Sequence, residues 1–347
     1  MVVTTADTAE PILDLRQIDH LIITRTPVRL PLGGGGTDLA SYYSKFGGFF
    51  VGAAINKHNY IAVKPRFEDG FRISYSKTEI TDCVDNIQQP IIRECLKLLG
   101  IRDCLEIVSI ADVPGRSGLG GSSSYAVGVL NALHSYRRDN APPGRLAEEA
   151  CHIEIERLGE PIGKQDQYVA AFGGINSYEI DVDGTVHVKP LQITRHDMAE
   201  LENNILLFYT GIKRDASTIL SEIKKNEEKD EGRVVEAMHK IKAIGYEIRD
   251  ALVSGELLHF GELLDAHWKT KKNLSGTVSN SRIDTLYEMA KGNGAIGGKI
   301  MGAGGGGFFM LYSESGRKKL RDAMTKEGLK EVRFRFDYEG SKALLNL

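Results

Sequence analysis

The chain has 347 residues, 41% of them hydrophobic and 26% charged, with a formal net charge of −3. That length accommodates two domains with cores of their own, and the nearly balanced charge supplies no bulk attraction to nucleic acid. No apolar run reaches the ~20 residues of a membrane helix, and the four cysteines, without C-x-x-C or zinc-site spacing, point to a reduced, cytoplasmic protein.

In chain order, residues 1–18 read as a poorly ordered arm, polar and acidic, without the apolar stretch of a signal peptide. Strands are expected at 20–25, 49–64, 71–76 and 105–113. In the second, the polar centre Asn56-Lys57-His58-Asn59 predicts a bend or bulge. Helices are expected at about 86–99, 122–136, 144–158 and 164–171. A strand pair, 175–180 and 185–191, turns at Asp183-Gly184. A boundary near 192–204 divides an N-terminal domain, 19–195, from a C-terminal one, 196–347. The second half begins with a strand at 205–209 and continues with amphipathic helices at 215–228, 232–254, 257–272 and 281–292. It ends strand–helix–strand at 299–313, 315–327 and 331–338. Such alternation suggests helices covering a sheet.

Glycine is the compositional anomaly: 38 residues, well above a usual share of ~7%, clustered at 33–36, 115–121 and 292–307. Clustering is the pattern of ligand loops rather than of disorder. The run 112–128 passes from a strand through Gly115, Gly118, Gly120 and Gly121 to Ser122, Ser123 and Ser124 at a helix start. Glycines admit a ligand close to the backbone, a helix N-terminus offers free N–H groups to an anion, and serine hydroxyls cap a helix, bond a phosphate or ligate Mg²⁺. A P-loop is excluded, because neither Gly163-Lys164 nor Gly298-Lys299 is followed by Ser or Thr. Gly302, Gly304 and Gly307 match dinucleotide-loop spacing but lead into a strand, not a helix.

Two further segments complete a pattern. Residues 25–38 read Arg-Thr-Pro-Val-Arg-Leu-Pro-Leu-Gly-Gly-Gly-Gly-Thr-Asp, and residues 299–309 read Lys-Ile-Met-Gly-Ala-Gly-Gly-Gly-Gly-Phe-Phe. With the 112–128 loop they resemble, in order and spacing, the three motifs of the GHMP kinases, the superfamily of galactokinase, homoserine kinase, mevalonate kinase and phosphomevalonate kinase. Those motifs are R-x-P-x-R…G…T-D, P-x-x-x-G-L-x-S-S and K-x-x-G-A-G-x-G-G. Pro114, Gly118, Leu119 and Ser122 carry the second, with Gly121 in place of its first serine. The resemblance covers about residues 21–340. It implies an α+β fold of two domains, ribosomal-S5-like then ferredoxin-like, and a kinase that uses ATP and Mg²⁺.

The resemblance also implies roles. The loop from Pro114 and Gly115 through Ser124 holds the nucleotide. Asp166 follows Gly163 at a helix start, where the dipole favours its ionised form, and matches the G-x-x-D-Q aspartate that accepts the acceptor's proton. Arg29, nine residues before Asp38, lies near the reacting oxygen. Glu154 holds Mg²⁺ with Ser122 or Ser123. Glu156 is the competing carboxylate, and two residues apart on a helix only one of the pair reaches the site. Thr37 and Asp38 meet sugar hydroxyls, and Asp38 can also cap a helix at 39–45. Gly304 and Gly305 belong to a second backbone-lined loop facing phosphates or sugar.

Gly35-Gly36 stand where galactokinase carries Glu-His. Four glycines before Thr-Asp resemble instead the superfamily's heptose phosphate kinases. This implies a sugar phosphate substrate phosphorylated on the anomeric C1 hydroxyl. Lys213 and Arg214 are candidates for the substrate's phosphate, since a forked guanidinium suits phosphate oxygens. Fucose, glucuronate or another hexose, or a sensor that binds ATP and sugar without turnover, are the alternatives. Oligomeric state stays open, a homodimer included.

Overall fold

The computed structural model describes residues 21–115, 117–212, 216–229 and 231–346. The expected arm at 1–18, and Lys213 and Arg214, lie outside the described residues. The N-terminal half contains strands β1 (Ile22–Gly33), β2 (Gly48–Pro65), β3 (Phe71–Ser74), β4 (Thr78–Thr81), β5 (Leu105–Ala111), β6 (Ile175–Ile180) and β7 (Val186–Pro190). Its helices are α1 (Ala40–Phe46), α2 (Pro90–Leu99), α3 (Gly121–Tyr136), α4 (Pro143–Cys151) and α5 (Gln165–Phe172), with a π-helical turn at His152–Arg157. The C-terminal half contains α6 (Arg195–Asn204), β8 (Ile205–Tyr209), α7 (Ala216–Lys229), α8 (Glu231–Ser254), α9 (Leu257–Lys271), α10 (Ser281–Gly292), β9 (Gly297–Ile300), β10 (Phe308–Tyr312), α11 (Arg317–Lys326), β11 (Lys330–Val332) and β12 (Lys342–Asn346).

The first sheet runs β12-β1-β2-β5-β3-β4, with β6 joined to β2 and β7 to β6. β2 is its spine because it changes neighbours: residues 48–53 pair with β6 and residues 59–65 with β5. The change falls at Asn56-Lys57, which β1 skips, since Val28 faces Ile55 while Pro27 faces His58. This is the irregularity expected from the polar centre of β2. It also reverses the parity of β1. Before it, Thr24 and Thr26 face α3, with Thr24 Oγ1 donating to the Gly128 carbonyl at 2.9 Å. After it, Val28, Leu30 and Leu32 enter the core shared with the C-terminal domain, and Arg29 and Pro31 turn to a cleft. The bulge thus aims Arg29.

The second sheet, β11-β8-β10-β9, is antiparallel throughout. One face packs with α8 and α9 against β1 and β2 through Leu207, Met310, Phe260 and Ile248. The other packs on α7, α10 and α11 through Phe208, Phe309, Leu286 and Leu320. Several elements depart from expectation. β1 continues to Gly33 because Pro27 and Pro31 sit at register shifts, where a missing N–H breaks no ladder bond. The expected boundary at 192–204 contains α6, capped by Thr194 Oγ1 accepting from Asp197 N at 3.1 Å. The run 299–313 is two strands around the glycine loop, and only β11 forms in the expected strand 331–338. The unexpected β12 returns the chain's end to β1.

Candidate active site

A cleft of about 420 Å³ opens where β1, the α3 N-terminus, α5, α9 and the β9–β10 loop converge. At its centre Arg29 and Asp166 form a bidentate pair: Nε donates to Oδ1 at 2.7 Å and Nη2 to Oδ2 at 2.8 Å. Arg29 is 4% exposed, and its Nη1 donates to the Gly118 carbonyl at 2.6 Å. Its backbone N–H donates to the Leu119 carbonyl at 3.0 Å, which ties β1 to the glycine loop. Asp166 stands in the first turn of α5 and is 26% exposed. Each of its oxygens retains a second lone pair for a proton or a hydroxyl. Gly120 precedes α3 at φ +73°, and a Cβ there would lie 3.0 Å from Asp166 Oδ2. Only glycine lets the α3 N-terminus and this carboxylate meet without strain.

Asp38 is buried beside the same helix start. Its Oδ1 accepts from Gly36 N at 2.8 Å and its Oδ2 from Gln165 N at 3.0 Å. Burial pushes its carboxyl above the ordinary value, against these two backbone bonds. Asp38 therefore caps α5, while α1 has no side-chain cap. A Cβ on Gly163 would lie 2.0 Å from Asp38 Oδ2, so the chain must be bare there. Thr37 departs from its expected place. It is fully buried, its hydroxyl donates toward the Gly34 and Phe49 carbonyls and accepts from Phe49 N, and it does not line the cleft. It holds the glycine turn against β2.

Glu154 comes from the π-helical turn, a distortion frequent at functional sites. It is 1% exposed; Ser122 Oγ donates to its Oε1 and Gln167 Nε2 to its Oε2, each at 2.8 Å. Burial pushes its carboxyl up to about 7, against hydrogen bonds from Ser123, Ser122 and Gln167. Glu156 points outward to His152 at 2.7 Å, so the turn brings only Glu154 to the cleft. Ser122 and Ser123 line the cleft beside it. Ser124 does not: its hydroxyl donates to the Thr26 carbonyl at 3.0 Å and accepts from Asn59. Leu119 is core, and Pro114 and Gly115 are exposed away from the cleft.

In the third glycine loop, Gly302 and Ala303 line the cleft, whereas Gly304 and Gly305 pack on Val278, with Gly305 N donating to its carbonyl at 2.8 Å. The floor holds three further groups: His267 and Lys271, outside the motifs, and Lys299, the lysine that opens the third motif. Burial, then repulsion from Arg29, lowers the Lys271 ammonium to about 8. Burial and neighbouring cations hold Lys299 and His267 well below their ordinary values. A signal for two of them existed. Leu257, Phe260, Leu264, His267 and Lys271 form one inward stripe of α9 at spacings of three and four, so a histidine and a lysine stand at buried positions.

The described side chains present oxygen ligands of the kind Mg²⁺ prefers, one carboxylate and one or two hydroxyls, leaving positions for phosphate oxygens and water. Among the described residues no helix is long and apolar enough to cross a membrane. The sequence profile of the GHMP kinases N terminal domain matches residues 86–174, and that of the GHMP kinases C terminal domain matches residues 248–330. The D-glycero-alpha-D-manno-heptose 7-phosphate kinase of Campylobacter jejuni is 36% identical, over 93% of this chain and 98% of that protein. The L-fucokinase/L-fucose-1-P guanylyltransferase of Bacteroides fragilis is 26% identical over 87% of this chain and 36% of its own. The crystal structure of a D-glycero-D-manno-heptose 1-phosphate kinase from Bacteroides thetaiotaomicron superposes with a TM-score of 0.77 at 26% identity, covering 93% of this chain and 98% of that one. With both domain profiles in order and a full-length relative above 30% identity, the chain belongs to the GHMP kinases, two-domain α+β enzymes that transfer phosphate from ATP, and it is a sugar kinase among them.

Proposed function

We propose that the protein phosphorylates the anomeric C1 hydroxyl of D-glycero-D-manno-heptose 7-phosphate, giving the 1,7-bisphosphate and ADP. The observation that carries the reading is the Arg29–Asp166 pair held under the α3 N-terminus, beside a buried Asp38 with no galactokinase-like side chains before it. The C1 oxygen forms a bond to the γ-phosphorus, the bond from that phosphorus to the β-bridging oxygen breaks, and ADP leaves. Asp166 takes the hydroxyl proton on a lone pair that Arg29 does not occupy. Arg29 fixes the carboxylate's orientation and lowers the cost of negative charge near the reacting oxygen. Free N–H groups of the α3 start and its serines receive the nucleotide's phosphates, while Asp38 and the bare Gly35-Gly36 backbone receive the sugar. Glu154 and Ser122 would hold Mg²⁺, with Ser123 alongside; the ion supplies charge neutralisation of the phosphates.

The Campylobacter jejuni relative is named for heptose 7-phosphate, which supports a phosphorylated acceptor with a free C1 hydroxyl; the Bacteroides thetaiotaomicron structure is named for the 1-phosphate and supports only a mannoheptose phosphate. The fucokinase relative supports a second reading, an anomeric kinase of an unphosphorylated sugar. A panel of sugars and sugar phosphates assayed for ADP release separates them. Heptose 7-phosphate should give the highest kcat/KM; a free hexose or fucose exceeding it would transfer the assignment.

A further inference from the structure

His267, Lys271 and Lys299 take no part in the scheme above, and their surroundings are incomplete. His267 and Lys271 lie one turn apart on α9, and Lys299 lies on β9. All three line the cleft, and none is more than 9% exposed. Buried ammonium groups ordinarily face carboxylates, because an uncompensated charge out of water is costly. Here Lys271 Nζ donates to the Gly302 carbonyl and Lys299 Nζ to the Leu32 carbonyl, the latter at 3.1 Å. Neither forms an ion pair with a described residue. An ammonium has three N–H bonds, so each retains donors. Both ring nitrogens of His267 lack any partner, as does the buried hydroxyl of Ser117 on the same cleft.

We propose that His267, Lys271 and Lys299 form a second phosphate-binding subsite, on the C-terminal side of the cleft and separate from the loop at the α3 N-terminus, which takes either the acceptor's own phosphate or the γ-phosphoryl of the nucleotide. The proposal rests on the kinase reading of the cleft. An arriving dianion supplies the direct ion-pair partner that the two ammonium groups lack and an acceptor for an imidazole N–H. Desolvation that penalises these groups in the free protein becomes attraction once the anion is bound, since the same low-dielectric surroundings strengthen the interaction. Lys271 is poised for either source. It bonds Gly302, whose Cα would carry a Cβ 3.1 Å from Gly118 of the nucleotide loop, and it feels the charges of Arg29, Asp38 and Asp166 around the acceptor.

The test begins without nucleotide or sugar. Inorganic phosphate is titrated into the enzyme while the imidazole Cε1–H cross-peaks of its nine histidines are followed by NMR, with His267 assigned by the peak lost in His267→Gln. The His267 peak should move saturably with phosphate and not with chloride at equal ionic strength. In Lys271→Met the midpoint should rise at least tenfold, the remaining peaks showing that the variant is folded. No movement, or an unchanged midpoint in both Lys271→Met and Lys299→Met, overturns the subsite. Kinetics then distinguish the sources. A rise in KM confined to heptose 7-phosphate in Lys271→Met identifies the acceptor's phosphate, and a fall in kcat shared by heptose and heptose 7-phosphate identifies the γ-phosphoryl. Unchanged kinetics with both sugars overturns the proposal. Phosphate binding without ADP release from any sugar leaves the subsite standing and removes the kinase reading; turnover of heptose 7-phosphate without a phosphate response does the reverse.

Discussion

Replacing Lys271 with methionine should stabilise the ligand-free protein while damaging its function. The Lys271 ammonium titrates at about 8 rather than its ordinary 10.5, first because it is buried and then because Arg29 repels it. At pH 7 the side chain is charged in both the folded and the unfolded chain. The folded state then carries the whole difference, about 3 kcal/mol at 1.36 kcal/mol per pH unit. Methionine fills the same space without the charge. It leaves the Gly302 carbonyl without its donor, which costs about 1 kcal/mol. The net expectation is a gain of about 2 kcal/mol at pH 7, or roughly 3 °C in Tm for a chain of this size. Between pH 8 and 10.5 the unfolded chain keeps a proton that the folded chain has lost. Wild-type stability therefore rises with pH across that window, and the variant's advantage should shrink toward zero or below by pH 10.5. Thermal melts in chloride buffers free of phosphate, at pH 7, 8.5 and 10, measure both quantities. A variant less stable than wild type at pH 7, or an advantage independent of pH, would refute the claim that this charge is held at a cost to the fold.

Other expectations concern the reacting centre. Asp166→Asn should lower kcat by at least ~10², the scale of a lost general base, while the dissociation constant of ATP changes only a few-fold; near-full turnover would remove Asp166 from the chemistry. Glu154→Gln should raise the Mg²⁺ concentration needed for half-maximal activity far more than Glu156→Gln, because only Glu154 faces the cleft, and Mg²⁺ titration of both variants decides it. Gly163→Ala places a methyl group where Asp38 Oδ2 now lies 2.0 Å away. It should raise the sugar KM at least tenfold with little effect on the KM for ATP, and equal effects on both would count against Asp38 as a sugar ligand.

Much of this site was legible because it is built from local signals. The strand–glycine–serine–helix sequence of 105–136 specifies the α3 cradle without reference to the rest of the chain, and α3 begins at Gly121. Asp166 at a helix start and Glu154 facing inward follow from short-range spacing and from resemblance to the family. What escaped depends on distant packing. Thr37 was expected on the sugar, yet its hydroxyl is claimed by Phe49, twelve residues away on the neighbouring strand. Gly304 and Gly305 were expected on the cleft, but Val278 draws them aside. Asp38 caps α5 rather than α1, a contact across 127 residues. β12 has no hydrophobic alternation of its own, with a burial pattern mostly exposed, and forms because β1 offers an open edge. In the cationic floor, Lys271 reads as surface unless the apolar stripe of α9 is followed to its last turn, and Lys299 opens the third motif with no local signal of its burial.

In the proposed reaction the cleft transfers the γ-phosphoryl of ATP to the anomeric oxygen of a heptose that already carries a phosphate. Phosphorus NMR of the product from ATP and D-glycero-D-manno-heptose 7-phosphate tests it directly. One new phosphate resonance is expected, coupled to H1 as a glycosyl phosphate, beside the unchanged 7-phosphate and in equal amount with ADP. A new phosphate coupled to a proton other than H1, or no product from this sugar when a free hexose is turned over, would contradict it.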